Sequence, residues 1–585
     1  MAISSDAARI AEKRPLFERL EVKVGRLWPV ALLLVVGGLV LWPLTALVYG
    51  AFRSDTPGAR DAVFTLENIR EVYLGLIGQG WTGEAVFNSI ALAVPVTLVA
   101  TTIGVLLAWA VTRTDMPGKK TFEILFLVPM LYSPLVGVIG WTVLADPRSG
   151  LLNRWWMAAT ETTLPIVNVY SWAGIVWVMV FYFVPYAFVM NVGTFRSMDP
   201  ALEEAGAVFG ANLWRRLTRI TLPLMAASIG AAALFIFTLG LEQFAIPGFL
   251  GSHIRLDTLA YAIYRRTNAY PNDLPSAAAA GTLLLALAAL GLYFYRRLIR
   301  RSERFVTVTA RGYKPAPTTL GKLRYPVAFF AATVFVLGSL LPLGAVLLRA
   351  LMPVRTGTID LAALDFRNFA SLWEAVDIRL GVFNSLWLAG GAATLCAILG
   401  FFLAIAVVRK PDSRPVAIAD YLIAMPIGIP GTVFGVGMLW AYVGSPIYLT
   451  VWILLLAFVI RYTVYAVRNM TAGVMQVDRA LEEAAVVSGA SPLRAFFFVD
   501  LPLLKPVLAA LWLLIFMIVM RELSASVILY GAGSVTLPIL TWSYLNDGFY
   551  GIASALAICQ MLLVGGVVMI FRWIFGIDLR MRSKD

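Results

Sequence analysis

Twelve long apolar stretches separated by short polar segments set the rhythm of this chain. They lie near residues 27 to 51, 85 to 112, 121 to 145, 169 to 192, 224 to 249 and 276 to 296, and again near 326 to 351, 382 to 408, 416 to 443, 446 to 470, 506 to 530 and 551 to 575. Each is long enough for a helix of about 20 residues, the length that crosses the hydrocarbon core of a bilayer. A bilayer offers no water to backbone amides, so runs of this kind are predicted to be helical throughout. The pattern predicts an all-α polytopic membrane protein with six spans followed by six more.

Composition supports the same class. Hydrophobic residues make up 60% of the 585 and charged residues only 14%, a balance that a soluble domain could not keep in solution. The net charge of +13 would suit a nucleic-acid partner if it were spread over one surface. Instead it collects in alternate loops, as in the run Arg296, Arg297, Arg300, Arg301 and Arg304, while the loop from Gly531 to Tyr550 has no basic residue. This positive-inside bias predicts cytoplasmic N- and C-termini and a lipid bilayer, not nucleic acid, as the surrounding partner. The first apolar stretch is too long for a secretory signal peptide and lacks a small-residue cleavage site, so it reads as an uncleaved span. Cys396 and Cys559 both fall inside spans and read as packing residues.

One polar segment occurs twice. Asp199 to Pro223 reads DPALEEAGAVFGANLWRRLTRITLP, and Asp478 to Pro502 reads DRALEEAAVVSGASPLRAFFFVDLP. Asp199 and Asp478 suit a helix N-cap, and the pairs Glu203 with Glu204 and Glu482 with Glu483 sit in the first turns, where the helix dipole favours them. Ala205 and Ala484 follow. Gly210 and Gly489 suit the left-handed conformation that ends a helix, after which Asn212 and Ser491 can cap a second one. Each copy is therefore expected to form a helix, a glycine turn and a helix.

The duplication extends further. FNSIALAVPVTLVATTIGVLLAWAVTR at Phe87 to Arg113 aligns with FNSLWLAGGAATLCAILGFFLAIAVVR at Phe383 to Arg409, pairing Asn88 with Asn384, Ser89 with Ser385, Gly104 with Gly400 and Arg113 with Arg409. The change of offset between the two repeats places an insertion in the first half, most naturally at Asp146 to Asn168. Equal span numbers give the halves the same orientation, related by an axis along the membrane normal. The expected organisation is a cytoplasmic segment at 1–26, a first half at 27–300, a linker at 301–325 and a second half at 326–585.

The repeated motif, EAA followed by Gly and then Leu-Pro, resembles the signature loop of the inner-membrane permeases of binding-protein-dependent (type I) ABC importers. The resemblance implies that fold, two cytoplasmic ABC ATPase subunits docked on the two loops, and a periplasmic substrate-binding protein. It makes Glu203, Glu204, Ala205, Gly210, Glu482, Glu483, Ala484 and Gly489 the residues that couple to the ATPases. The segments RELSASVILYGAGSVTLPILTW, LEQFAIPGFLG and LADPRSGLLN resemble ferric-iron permeases in particular, which implies a bacterial inner-membrane importer of ferric iron. Importers of thiamine, polyamines or phosphonates are the close alternatives, and a twelve-span secondary transporter or a membrane-embedded enzyme the distant ones.

The chain's own chemistry is sparse. No G-x-x-x-x-G-K-[ST] phosphate loop occurs, so ATP hydrolysis is expected of a separate subunit. One histidine, His253, and two cysteines give no ligand set for haem or zinc, and no cofactor or bound metal is expected. Charged groups near the ends of apolar spans are costly and therefore informative. Glu242 and Gln243 occupy the positions of Arg521 and Glu522 in the second copy, and the four are expected to form a polar cluster between the halves or to line the path. Pro129 and Pro134, and Pro426 and Pro430 with Gly428, Gly431, Gly435 and Gly437, are expected to break the third and ninth spans. Such breaks either free carbonyls to line a cavity or serve close packing, with packing favoured.

Overall fold

In the computed structural model of the chain, residues 16–78, 80–199, 201–302, 318–353, 363–409, 411–489, 491, 498–499 and 501–575 are described. Among them there is no β-strand, and ten helices are long and apolar enough to cross a membrane, or twelve if each of two bent pairs counts as one span.

The first half runs through α1 (Leu16–Ala51), α2 (Trp81–Arg113), the bent pair α3 (Lys119–Leu131) and α4 (Pro134–Ala145), α5 (Trp172–Ser197) and the short α6 (Ala201–Val208). It continues with α7 (Leu213–Glu242), α8 (Ala245–Ser252), α9 (Leu259–Asn268) and α10 (Leu274–Ser302). The second half repeats this order as α11 (Gly321–Leu351), α12 (Val376–Arg409), α13 (Arg414–Gly428) with α14 (Gly431–Tyr442), α15 (Val451–Val474), α16 (Arg479–Val487) and α17 (Leu501–Met520). It closes with α18 (Ser526–Leu529), α19 (Leu537–Asn546) and α20 (Tyr550–Phe575). Each of these ten first-half helices has its counterpart ten labels later.

Four of the apolar stretches are interrupted, the third and ninth of them where their prolines lead one to expect it. The third and ninth bend by 97° and 115°, at Pro134 and at Pro430. Proline lacks the amide that would continue the ladder, and its ring displaces the carbonyl four residues back. In the first bend Ser133 accepts a hydrogen bond from the Leu135 amide at 3.4 Å and restarts the helix. The fifth and eleventh stretches end early, at Glu242 and Met520, where the chain turns into α8 and α18. The extra residues of the first half form a helix at Leu151–Thr160, whose Asn153 is fully buried and bonds to the carbonyls of Asp146 and Val167.

By compactness the chain divides into two units. One comprises residues 1–45, 390–427 and 455–516, and the other 46–389, 428–454 and 517–585. This division differs from the sequence halves, because most of α1 groups with second-half segments. Within the larger unit α11 packs on α4, and Tyr132 donates a 3.0 Å hydrogen bond to the Gly338 carbonyl.

Both units contain the same helix crossing. In the larger unit a methyl group on Gly104 of α2 would come within 2.4 Å of the Ala187 Cβ on α5, and in the smaller unit one on Gly400 of α12 would come within 2.4 Å of the Ala466 Cβ on α15. Where apolar burial drives helices together no better than lipid does, such close backbone approach supplies the van der Waals attraction. Replacing Gly104 with Ala should therefore force α2 and α5 apart and lower stability by about 1–3 kcal/mol, an overpacking cost. Gly193→Ala on α5, where nothing lies within 4 Å, should be neutral or slightly stabilising. Thermal unfolding of the two variants in the same detergent measures the difference.

Candidate functional site

The first repeated loop folds as its residues suggest. Asp199 Oδ1 accepts from the Ala201 amide at 2.9 Å and starts α6, and Asn212 Oδ1 accepts from the Arg215 amide at 2.9 Å and starts a turn of helix at Leu213–Arg216. Between them Gly210 has φ of +77°, with nothing within 4 Å of an added Cβ. The glycine is required by backbone conformation and not by space. In the second loop Asp478 Oδ1 accepts from the Ala480 amide at 3.0 Å, and Gly489 has φ of +90° in equally open surroundings. The side chains of Glu482 and Glu483 and the helix expected after Ser491 lie outside the described residues.

Glu203 has a different task from its neighbour. It is buried, its Oε2 accepting from Arg113 Nη2 at 2.5 Å and its Oε1 from the Thr221 hydroxyl at 2.5 Å. Arg113 also donates to the Met198 carbonyl at 3.3 Å. Three segments are thus tied at one point: the end of α2, the approach to α6 and the start of α7. The sequence places Glu203 in the first turn, where the helix dipole favours it, and the structure adds this ion pair. The signal was present in Arg113, which the repeat retains as Arg409 far along the chain.

Glu204 and Ala205 are exposed, as are Val208 at 85% and Phe209 at 89%. Ala484 is likewise exposed in the second loop, and Val487 reaches 88%. Equivalent apolar residues thus project at the tip of both loops, the kind of surface that marks a protein contact.

The polar residues after α7 and α17 divide by function. Gln243 and Glu522, which are equivalent, both hold the amides of the short helix that follows. Gln243 Oε1 accepts from the Ala245 amide at 3.3 Å, while Glu522 Oε1 and Oε2 accept from the Ala525 and Ser526 amides at 2.8 and 3.1 Å. Their neighbours carry opposite charge. Arg521 donates through Nη1 to the Met130 carbonyl at 2.7 Å and through Nη2 to the Tyr186 hydroxyl at 2.8 Å. Met130 belongs to the turn before the first bend, so this carbonyl is one that the break released. Arg521 therefore reaches from the second half to a backbone group of the first.

One pair of contacts was not read from the sequence, although its residues stood in the repeat. Ser89 of α2 accepts from the Leu259 amide at 2.9 Å, and Ser385 of α12 accepts from the Leu537 amide at 2.8 Å. Asn88 donates to the Asp257 carbonyl at 3.0 Å, and Asn384 to the Val535 carbonyl at 2.9 Å. Each Asn-Ser pair thus clasps the start of α9 or α19, where Thr258 and Thr536 themselves make no capping bond. Burial raises the Asp257 carboxyl above its ordinary range, the paired Arg265 opposing the shift and Glu84 adding to it.

Bent spans thus recur at equivalent places in two copies of one helix order. Residues 86–304 and 397–581 both match the family described as the binding-protein-dependent transport system inner membrane component. The chain belongs to that family and is an ABC importer permease with its two halves fused. It is 26% identical over 561 residues to a ferric transport system permease protein of Actinobacillus pleuropneumoniae, covering 93% of this chain and 77% of that one. A putative ferric transport system permease protein of Haemophilus influenzae is 27% identical over 466 residues, covering 78% and 72%. A putrescine transport system permease protein of Escherichia coli is 32% identical over 210 residues, 34% of this chain and 74% of that one.

Removing Arg113 alone, as Arg113→Met, should leave the Glu203 carboxylate buried without its cation and cost about 3–5 kcal/mol. Arg113→Met combined with Glu203→Gln should cost clearly less than the two single changes summed. Thermal unfolding of the four chains reads the coupling, and simple additivity would show that the two groups act independently. At the turn, Gly210→Val should strain the loop where Gly193→Val, in open helical surroundings, does not. Protease sensitivity next to residue 210 reports the difference.

Proposed function

We propose that this chain forms the whole transmembrane pathway of an ATP-driven importer of ferric iron in the bacterial inner membrane. A periplasmic binding protein delivers the cargo, and two ATPase subunits dock from the cytoplasm, one on each signature loop. The observation that carries the reading is the duplicated loop, which shows the same Asp cap, the same left-handed glycine and the same exposed valine in both copies. In this reading Glu204, Ala205, Glu482, Glu483 and Ala484 contribute to the ATPase-facing surfaces, while Gly210 and Gly489 shape them and Glu203 fastens the first to α2. Residues 27–300 and 326–585 are the two permease halves, joined by a cytoplasmic linker at 301–325, and residues 1–26 and the C-terminus face the cytoplasm as the basic loops require.

Similarity to ferric permeases over nearly the whole length supports iron as the cargo. Among the described residues no group of three or more His, Cys, Asp or Glu is placed to hold a metal ion. A cation would then cross through transient contacts, and selection would rest with the binding protein. A polyamine is the second reading, favoured by the higher identity to a putrescine permease over the part that aligns.

Reconstituted vesicles with the permease, its ATPase and its binding protein should accumulate radioactive ferric iron on addition of ATP and not radioactive putrescine. The reverse result would replace the cargo and leave the importer intact. Native mass measurement of the complex should find one permease chain for every two ATPase subunits. Two permease chains in that complex would contradict a single-chain pathway.

A further inference from the structure

Tyr264 and Trp542 occupy the same step of the duplicated fold, each being the sixth residue of its helix, α9 from Leu259 and α19 from Leu537. They touch each other. Trp542 Nε1 donates to the Tyr264 hydroxyl at 3.1 Å, and the two rings meet edge to face at 5.9 Å. In a two-fold arrangement most contacts between copies occur twice, once on each side, but a contact between equivalent residues falls on the axis itself. For parallel repeats that axis runs along the membrane normal, where a path between the halves would run.

The pair is backed by further rings. Phe244, fully buried, lies 4.8 Å from both the Tyr264 and the Trp542 ring, and Tyr261 stands 6.0 Å from Phe244. Burial pushes the Tyr264 phenol above its ordinary value, and the indole donor partly offsets this. The helices that carry the pair are held at their starts by Ser89 with Asn88 and by Ser385 with Asn384. Ser89 and Arg113 lie at opposite ends of α2, about 36 Å apart at 1.5 Å per residue, so the rings sit at the end remote from the signature loop.

We propose that Tyr264 and Trp542, seated on Phe244, are the gate that closes the remote mouth of the transport path, and that the pair must part for cargo to enter. The inference rests on the importer reading above but not on the identity of the cargo. One neutral hydrogen bond and a few ring contacts are weak enough to break in every cycle. The clasped helices provide rigid bodies on which the two rings can separate. A purely structural aromatic core at this place would instead stay closed throughout transport.

The test uses the full chain with Cys396→Ala and Cys559→Ala, to which Tyr264→Cys and Trp542→Cys are added, treated with a cleavable bis-maleimide. The link should form readily in the nucleotide-free complex, and its yield should fall about fivefold or more when vanadate traps the ATPase dimer with the binding protein present. Linked vesicles should lose uptake of radioactive ferric iron and regain it when the linker is cut. Equal link yields in the two states, no link at all, or full uptake by linked protein would each overturn the gate. If the unlinked chain takes up no iron, the cargo reading fails while the comparison of link yields still decides the gate. Should the double-cysteine chain not insert, Trp542→Phe keeps a ring and removes the donor. ATPase activity without binding protein should then rise several-fold, and an unchanged rate would overturn the proposal.

Discussion

A backbone amide or carbonyl released inside an apolar membrane must find its partner within the protein, and this fold is arranged around that constraint. Every interruption of a span frees such groups. Ser133 restarts the helix after the first bend, Gln243 and Glu522 hold the amides that begin α8 and α18, and Arg521 reaches the Met130 carbonyl. These polar residues are thus placed where the helices break.

The same economy explains why polar residues at equivalent positions do equivalent work even when their identities differ. Gln243 and Glu522 have different charge but the same acceptor oxygens, and both cap. Asn88 and Asn384, with Ser89 and Ser385, keep identity because a donor and an acceptor are both needed in fixed order. Glu242 and Arg521 differ in sign, which distinguishes the halves electrically at the centre of an otherwise repeated scaffold. A fused chain can maintain such asymmetry, since its two halves need not be copies of one sequence.

At the other end of α2, Arg113 holds the Met198 carbonyl and Glu203 of α6, and Glu203 in turn accepts from Thr221 of α7. The exposed tip of α6 is thus joined to two spans by a charged, hydrogen-bonded junction. Phe209 and Val208 remain free for a partner because Glu203, on the opposite side of the same short helix, does the anchoring. Anchor and contact surface lie within two turns of one another.

The sequence by itself determined the all-α class, the rhythm of apolar spans, the duplication, the helix, glycine turn and helix of the first signature loop, and the Asp cap and left-handed glycine of the second. These features are local: apolar run length, a proline without an amide, a glycine without a Cβ and a side chain that reaches its own helix. Tertiary structure alone decided what is distant along the chain. The ion pair of Glu203 with Arg113 joins residues 90 apart in sequence, and the bond from Arg521 to the Met130 carbonyl leaves no mark in a list of side chains. The meeting of Tyr264 with Trp542 likewise depends on how two copies pack about an axis, and hydrophobic periodicity carries no information about that.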